Sequence, residues 1–268
     1  MSATASAVRL RRVARRFATQ SGELLSALED FDLEIAEGEF CAIVGPTGCG
    51  KSTTLGLVAG LVKPQAGQVD LFGSRVEGID RRVGFVFQQD ALFPWRNVLG
   101  NVIAGPRFRG VKRADAEADA QDWLRRVGLG AFATALPHQL SGGMRKRVAL
   151  AQSFINRPQV LLMDEPFSAL DIQTRELMQD ELLALWTQNR AAVLFVTHDL
   201  DEAILLADRV AVLTSRPARV KSVYKIDLPR PRNVAELRYD PQFIEIARQL
   251  AHDLREEVMK ARAEQAVP

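Results

Sequence analysis

Short apolar runs, Phe40 to Val44, Val83 to Phe87, Val160 to Met163, Val193 to Thr197 and Arg209 to Leu213, alternate along the chain with longer segments of helical period. This alternation predicts a largely parallel sheet with helices packed on it. The helical stripes are Ala116, Ala120, Trp123 and Val127, then Met144, Val148, Ala151 and Ile155, then Met178, Leu182, Leu185 and Trp186. Each set falls on one face of a helix of about 3.6 residues per turn. From Leu92 to Leu140 there are two or three helical pieces and no strand pattern, which predicts a helical subdomain, approximately 92–158, inserted into an α/β core. After Leu213 the pattern changes, with prolines at 217, 229, 231 and 241; a last helix is expected from Pro241, capped by Asp240, with Phe243, Ala247, Leu250, Leu254 and Val258 as its stripe. No internal repeat or low-complexity tract is visible.

Composition narrows the class. The chain has 268 residues, 47% hydrophobic and 25% charged, which is ordinary for a globular protein. A formal net charge of +2 argues against a protein that coats nucleic acid. The longest apolar stretch, Leu55 to Val62, contains Gly56 and Gly60 and is far shorter than the roughly 20 residues that cross a bilayer. Two cysteines, Cys41 and Cys49, in a chain able to bury a core point to a reducing, cytosolic compartment, and no secretory signal is visible. The first 22 residues hold five arginines and no acid. That composition is shared with transit peptides, but Val8, Leu10 and Val13 to Phe17 read as a strand leading into the fold.

Gly45-Pro46-Thr47-Gly48-Cys49-Gly50-Lys51-Ser52 matches G-x-x-x-x-G-K-S, directly after an apolar strand and before a helical run, the context this motif requires. Glycines let backbone N–H groups turn around phosphate oxygens, and the helix N-terminus adds its positive end. Lys51 supplies a point charge and Ser52 a magnesium ligand, so the expected ligand is a nucleoside triphosphate with Mg²⁺ held by Gly45 to Thr53. Cys49 is there for its backbone, its thiol a spectator. Val160 to Met163 leads into Asp164 and Glu165. At the carboxyl end of a buried strand both acids arrive beside the phosphate loop, Asp164 to organise Mg²⁺ and Glu165 to polarise the attacking water.

Leu140-Ser141-Gly142-Gly143-Met144 resembles the signature of the ATP-binding cassette (ABC) ATPases. Other landmarks of that family accompany it: Gln88 in Val86-Phe87-Gln88, Asp164-Glu165-Pro166, Ser168-Ala169-Leu170-Asp171, and His198 in Val196-Thr197-His198-Asp199. The resemblance covers about residues 8 to 225. Within the family, Leu92 to Val98, Leu140 to Arg145 and Ala203 to Val210 look most similar to ATPase subunits of nitrate, sulfonate and taurine importers. It implies a P-loop NTPase core with a mainly parallel sheet, an N-terminal antiparallel β portion and the inserted helical subdomain, in an ABC domain over 1–230 followed by a helical extension over 231–268.

By the same resemblance, Ser141, Gly142 and Gly143 bind the γ-phosphate held by the phosphate loop of a second, head-to-tail copy. Gln88 reaches Mg²⁺ and the attacking water, His198 contacts the γ-phosphate, Asp171 contacts the partner's phosphate loop, and Phe17 stacks on adenine. Transmembrane permease subunits and an extracytoplasmic solute-binding protein complete the implied complex, with this chain peripheral on the cytoplasmic face of a bacterial inner membrane and no nucleic acid involved. The loop with Phe93, Pro94, Trp95 and Arg96 is the expected permease contact; the competing reading puts Trp95 in the core.

Met144 stands where many members carry Gln, Gln152 where Arg is usual, and Thr19 to Leu25 lengthens the first hairpin. Repair-type ABC ATPases insert a coiled-coil arm before the signature, but only 53 positions separate Gln88 from Ser141. Translation types usually carry two cassettes, and intact Lys51, Asp164, Glu165 and His198 argue against a silent regulatory module. An exporter ATPase is the nearest competitor. His138 and His252 read as polar surface positions, Trp123 and Trp186 as core, and Arg145-Lys146-Arg147 as a solvated face.

Overall fold

The computed structural model describes residues 6–18, 22–232 and 234–265. In chain order the elements are β1 (Ser6–Ala18), β2 (Leu24–Ala36), β3 (Phe40–Val44), α1 (Lys51–Val58), β4 (Ala66–Leu71), β5 (Ser74–Arg75) and β6 (Val83–Val86), then α2 (Val98–Val102), α3 (Ala104–Phe108), α4 (Arg113–Arg126) and α5 (Gly142–Phe154). There follow β7 (Val160–Asp164), α6 (Ile172–Asn189), β8 (Ala192–Val196), α7 (Leu200–Leu206), β9 (Arg209–Leu213), β10 (Val220–Lys225), α8 (Val234–Leu237) and α9 (Pro241–Gln265).

Two sheets organise these elements. An antiparallel sheet has the order β2-β1-β4-β5, and a six-stranded sheet the order β10-β9-β3-β8-β7-β6, parallel except for β10. The arginines near the N-terminus belong to β1, which pairs with both β2 and β4, so the strand reading of that segment holds. Residues 19–21 of the lengthened hairpin lie outside the described residues.

Side-chain alternation sorts the core into two halves. Phe40, Ala42, Val44, Leu161, Met163, Val193 and Phe195 face the helices, packing with α4 to α7 and α9. Cys41, Ile43, Val160, Leu162, Leu194 and Val196 face α1 and the antiparallel sheet, meeting Leu10, Phe31 and Ile35. A strand covered on both faces has no polar side, which is why these runs read as continuous apolar segments.

The predicted stripes of α4 and α6 are buried, Trp123 and Trp186 included. Trp186 packs edge-on against Phe40, with ring centroids 5.4 Å apart. The last helix begins at Pro241, where Asp240 accepts from the backbone of Gln242 and Phe243. Its expected stripe holds through Phe243 and Leu250, but Leu254 and Val258 are only half-buried. The buried residue of the late turns is Glu257, which accepts a hydrogen bond from the Ser215 N–H at 3.0 Å and pairs with Lys221 and Lys260.

Candidate functional site

Strand order brings the motifs together. β3, β8, β7 and β6 are adjacent and parallel, so the segments leaving their carboxyl ends emerge on one edge. The phosphate loop follows β3, His198 follows β8, Asp164 and Glu165 end β7, and Gln88 follows β6. A cavity of about 510 Å³ there is lined by Thr47, Gly48, Gly50, Lys51, Ser52, Thr53, Gln88, Asp164, Glu165 and His198. A crevice outside the carboxyl ends of strands is where open α/β sheets take ligands.

The loop owes its path to glycine at two points. Gly48 and Gly50 have φ of 74° and 126°, and a Cβ on Gly50 would lie 2.9 Å from the Ala27 carbonyl oxygen. Lys51 is buried, and its ammonium donates to the carbonyl oxygens of Gly45 at 2.8 Å and Pro46 at 3.0 Å. Gly45 is buried outside the cavity lining, while Pro46 and Cys49 line a neighbouring cavity of about 360 Å³ with Arg216 and Ala261. Burial pushes the Cys49 thiol up, so it stays protonated and poorly nucleophilic, as a spectator would.

Glu165 adopts a left-handed φ of 42°, a conformation a glutamate holds only where its surroundings fix it. Its N–H is fixed by the Val196 carbonyl at 2.9 Å. Oε2 lies 3.0 Å from Nδ1 of His198 and accepts a long hydrogen bond from Gln88 Nε2 at 3.5 Å. Asp164 beside it is pushed above the usual carboxylate range by burial, with the Ser52 hydroxyl opposing, Glu165 adding to the rise and Lys51 opposing.

Ser141, Gly142, Gly143 and Asp171 do not line this cavity in the same chain. Ser141 caps α5, its Oγ accepting from Met144 N–H at 3.3 Å, so the two glycines open the helix. Asp171 caps α6, and its bonds to Thr174 hold its carboxyl below the usual range. Phe17 lies in β1 opposite Leu25, with the Arg15 guanidinium 4.7 Å from its ring centre, and lines neither cavity.

One expectation fails. Arg145-Lys146-Arg147 is not a solvated face: Lys146 is buried, Arg145 and Lys146 both pair with Asp90, and Arg147 pairs with Glu181. The helix turns these cations toward neighbouring segments, a direction that three adjacent charges do not reveal by themselves. Two further arginines near the site carried no motif signal. Arg175 donates to Asp199 at 3.1 Å and to the Leu170 carbonyl at 3.1 Å, tying the segments before α6 and α7. Arg216 donates through Nε to the Gly48 carbonyl at 3.1 Å. His138 and His252 are exposed, and among the described residues no cluster of three His, Cys, Asp or Glu is placed to hold a metal.

The sheet order, the phosphate loop and the acids at the end of β7 define a P-loop nucleotide-binding cassette. The profile of the ABC transporter family matches residues 28–168. An uncharacterized ABC transporter ATP-binding protein of Methanocaldococcus jannaschii is 46% identical over 241 residues, 90% of this chain and 89% of the relative. The aliphatic sulfonates import ATP-binding protein SsuB 1 of Xanthomonas axonopodis pv. citri is 45% identical, covering 86% of this chain and 90% of its own. The taurine import ATP-binding protein TauB of Rhizobium johnstonii is 44% identical over 87% and 91%. Among solved structures, a dimeric ATP-binding cassette in a post-hydrolysis state bound to ADP and Pi superposes with TM-score 0.73 at 33% identity, covering 83% of this chain and 100% of that one. The chain belongs to the ABC transporter family and is an ATP-binding cassette ATPase.

Proposed function

We propose that this chain is the ATP-hydrolysing subunit that energises an ABC importer of a small anionic or organic solute of the nitrate, sulfonate or taurine kind. ATP binding closes two copies head to tail, and hydrolysis lets them part. The convergence of Lys51, Ser52, Gln88, Asp164, Glu165 and His198 on one cavity carries the reading. The import relatives support the solute class and direction.

In this reading Lys51 and the loop amides bind the phosphates, Glu165 polarises the water, and His198 contacts the γ-phosphate. Ser141 to Gly143 and Asp171 serve the partner's nucleotide, in keeping with their absence from this chain's own cavity. Magnesium fits the residues present, because Ser52, Gln88 and Asp164 offer hard oxygen donors and the burial that raises Asp164 is relieved by a cation. When bound, the metal neutralises charge on the β- and γ-phosphate oxygens.

The membrane partner is a permease subunit. Trp95 is 74% exposed, against the reading that buries it in the core. It lines a groove of about 900 Å³ with Arg96, Arg107, Phe108 and Arg113. We read this groove, on a helical subdomain of approximately 92–158 within a domain of 1–230, as the seat of a short permease helix. No described helix is long and apolar enough to cross a membrane, which suits a peripheral subunit on the cytoplasmic face. A solute-binding protein outside completes the importer, and 231–268 forms an extension.

The test is reconstitution of the full chain with its permease subunits in vesicles holding MgATP on this chain's side, with solute and the binding protein on the other. Uptake that requires ATP and is lost in Lys51→Ala supports the reading. Solute movement in the opposite direction overturns it.

A further inference from the structure

Lys146 sits in the second turn of α5, the helix that Ser141 caps. Only 4% of its side chain is exposed. Its ammonium donates to the carbonyl oxygens of Phe87 at 3.1 Å and Gln88 at 2.8 Å, and lies 3.1 Å from Oδ1 of Asp90. Arg145 holds the other oxygen of Asp90 at 2.9 Å and donates to the Leu140 carbonyl at 2.8 Å. A buried ammonium has three donors and needs all of them compensated. Here the compensation comes entirely from one short segment, residues 87 to 90.

Beyond these cations, the segment is held by the Phe87 ring stacked on Phe85, with centres 4.2 Å apart. β6 ends at Val86, and among the described residues no backbone–backbone hydrogen bond of a turn or loop involves Gln88, Gln89 or Asp90. At its centre, Gln88 directs its amide at Glu165 across 3.5 Å, so a small backbone shift at Gln88 changes that distance directly.

We infer that Lys146 is a positioning residue for Gln88, holding the Phe87 and Gln88 carbonyls so that the Gln88 amide stands opposite Glu165. The same contacts make α5, with Ser141 to Gly143 at its start, move together with the Gln88 loop. A change at the signature end is thereby transmitted to the glutamine beside Glu165. This inference rests on the proposed role of Gln88 in turnover.

A double-mutant cycle on the full-length chain separates the two. Gln88→Ala, Lys146→Met and the pair are compared for kcat at saturating MgATP, Kd for ATP and Tm. Lys146→Met is expected to lower kcat about tenfold with Kd for ATP within about twofold, and the pair to be no slower than Gln88→Ala alone, because residues acting through one group are not additive. Lys146→Gln, which keeps a hydrogen-bond donor, is expected to regain most of the loss; Lys146→Ala replaces Lys146→Met throughout the cycle if the methionine variant does not fold. If Gln88→Ala leaves kcat unchanged, the reading of Gln88 falls and the inference with it. If Gln88→Ala slows turnover while Lys146→Met or its replacement does not, or if the two losses multiply, the positioning role alone is overturned.

Discussion

Nδ1 of His198 and Oε2 of Glu165 are 3.0 Å apart, although the two residues leave different strands, β8 and β7. The contact joins the ends of neighbouring strands across the cavity and places a carboxylate held by a left-handed backbone against an imidazole that is 59% exposed. A water beside Glu165 on the cavity side would meet a base on one side and the phosphate loop on the other.

Glu165→Gln is therefore expected to bind ATP with near-parent affinity and to lose turnover by roughly 10² to 10⁴, the contribution of a positioned base. Phosphate release measured beside equilibrium nucleotide binding checks this. Parent-like turnover in the variant, assayed with the partner subunits present, would remove Glu165 from the catalytic role.

The same variant provides the assay for dimer closure. ATP bound between two chains stabilises only the closed pair, so Glu165→Gln should shift from monomer to dimer in sedimentation when ATP is added. Adding Ser141→Arg places a bulky cation at the start of α5 and is expected to abolish the shift. A double variant that still dimerises with ATP sinks the signature as the second phosphate site.

Much of this arrangement was legible before any coordinates. Strands β3 and β8 are apolar throughout, and β7 and β9 are apolar but for Asp164 and Arg209 at one end, because helices or a second sheet cover both faces, and the helical stripes follow from one-sided packing. The convergence on the cavity follows from motifs at the carboxyl ends of adjacent parallel strands. The antiparallel sheet was harder to read: β2 carries outward charges, the one charge of β4, Asp70, is buried, β5 is only two residues long, and the register of β1 shifts around Arg12, whose φ is 43°. Lys146 was misread because its burial depends on which way α5 turns against the Gln88 loop, a tertiary relationship that three adjacent cations do not encode. Glu257 escaped the pattern of α9 for the same reason, since its partners at Ser215 and Lys221 are distant in sequence.

Docking through Trp95 and Arg96 predicts a separation of effects. The Arg96 guanidinium lies 5.0 Å from the Phe93 ring centre and 5.7 Å from that of Phe108, so the groove wall is a cation among aromatics, a favoured anchor at interfaces. Trp95→Ala with Arg96→Ala should leave Tm and ATP affinity of the isolated chain nearly unchanged, while co-purification with permease subunits and transport are lost together. Unfolding of the isolated chain, or surviving transport, would reject the groove.

Arg232 ties the segment before α8 to the core. It is buried, donates to the carbonyls of Ile204, Leu205 and Ala207 around the end of α7 and to those of Ile226 and Leu228, and has its pKa pushed down to about 10 by burial first and Arg230 second. It therefore stays charged at neutral pH, against the negative end of a helix. Arg232→Met strands those carbonyls and is expected to destabilise by roughly 1 to 3 kcal/mol, the scale of leaving buried acceptors without a donor. Arg232→Lys should recover only part, because a point ammonium cannot span the fork. Urea unfolding midpoints decide; a loss under about 1 kcal/mol would fall within ordinary surface effects.

Glu202 gives the fold a pH dependence of definite sign. It is buried at the start of α7, where Oε2 accepts from Thr197 Oγ1 at 2.6 Å and Oε1 from Gln179 Nε2 at 3.2 Å, with Arg175 Nε at 3.9 Å. Burial pushes its carboxyl up, and Asp199 adds to the rise; the Thr197 hydroxyl, Arg175 and Gln179 oppose it without cancelling it. The folded state therefore holds this proton more tightly than the unfolded chain does. Its stabilising contribution is complete below the ordinary glutamate value of about 4.3 and is lost as pH rises through the higher folded value. Glu202→Gln keeps the size and an acceptor but carries no charge to bury, so the parent should lose stability relative to the variant as pH rises above the ordinary glutamate value of about 4.3. Denaturant midpoints of both proteins across that range are the measurement. A gap that widens in the variant's favour with rising pH is expected, and a gap that is constant or narrows would mean that Glu202 is no harder to ionise in the fold than in the unfolded chain.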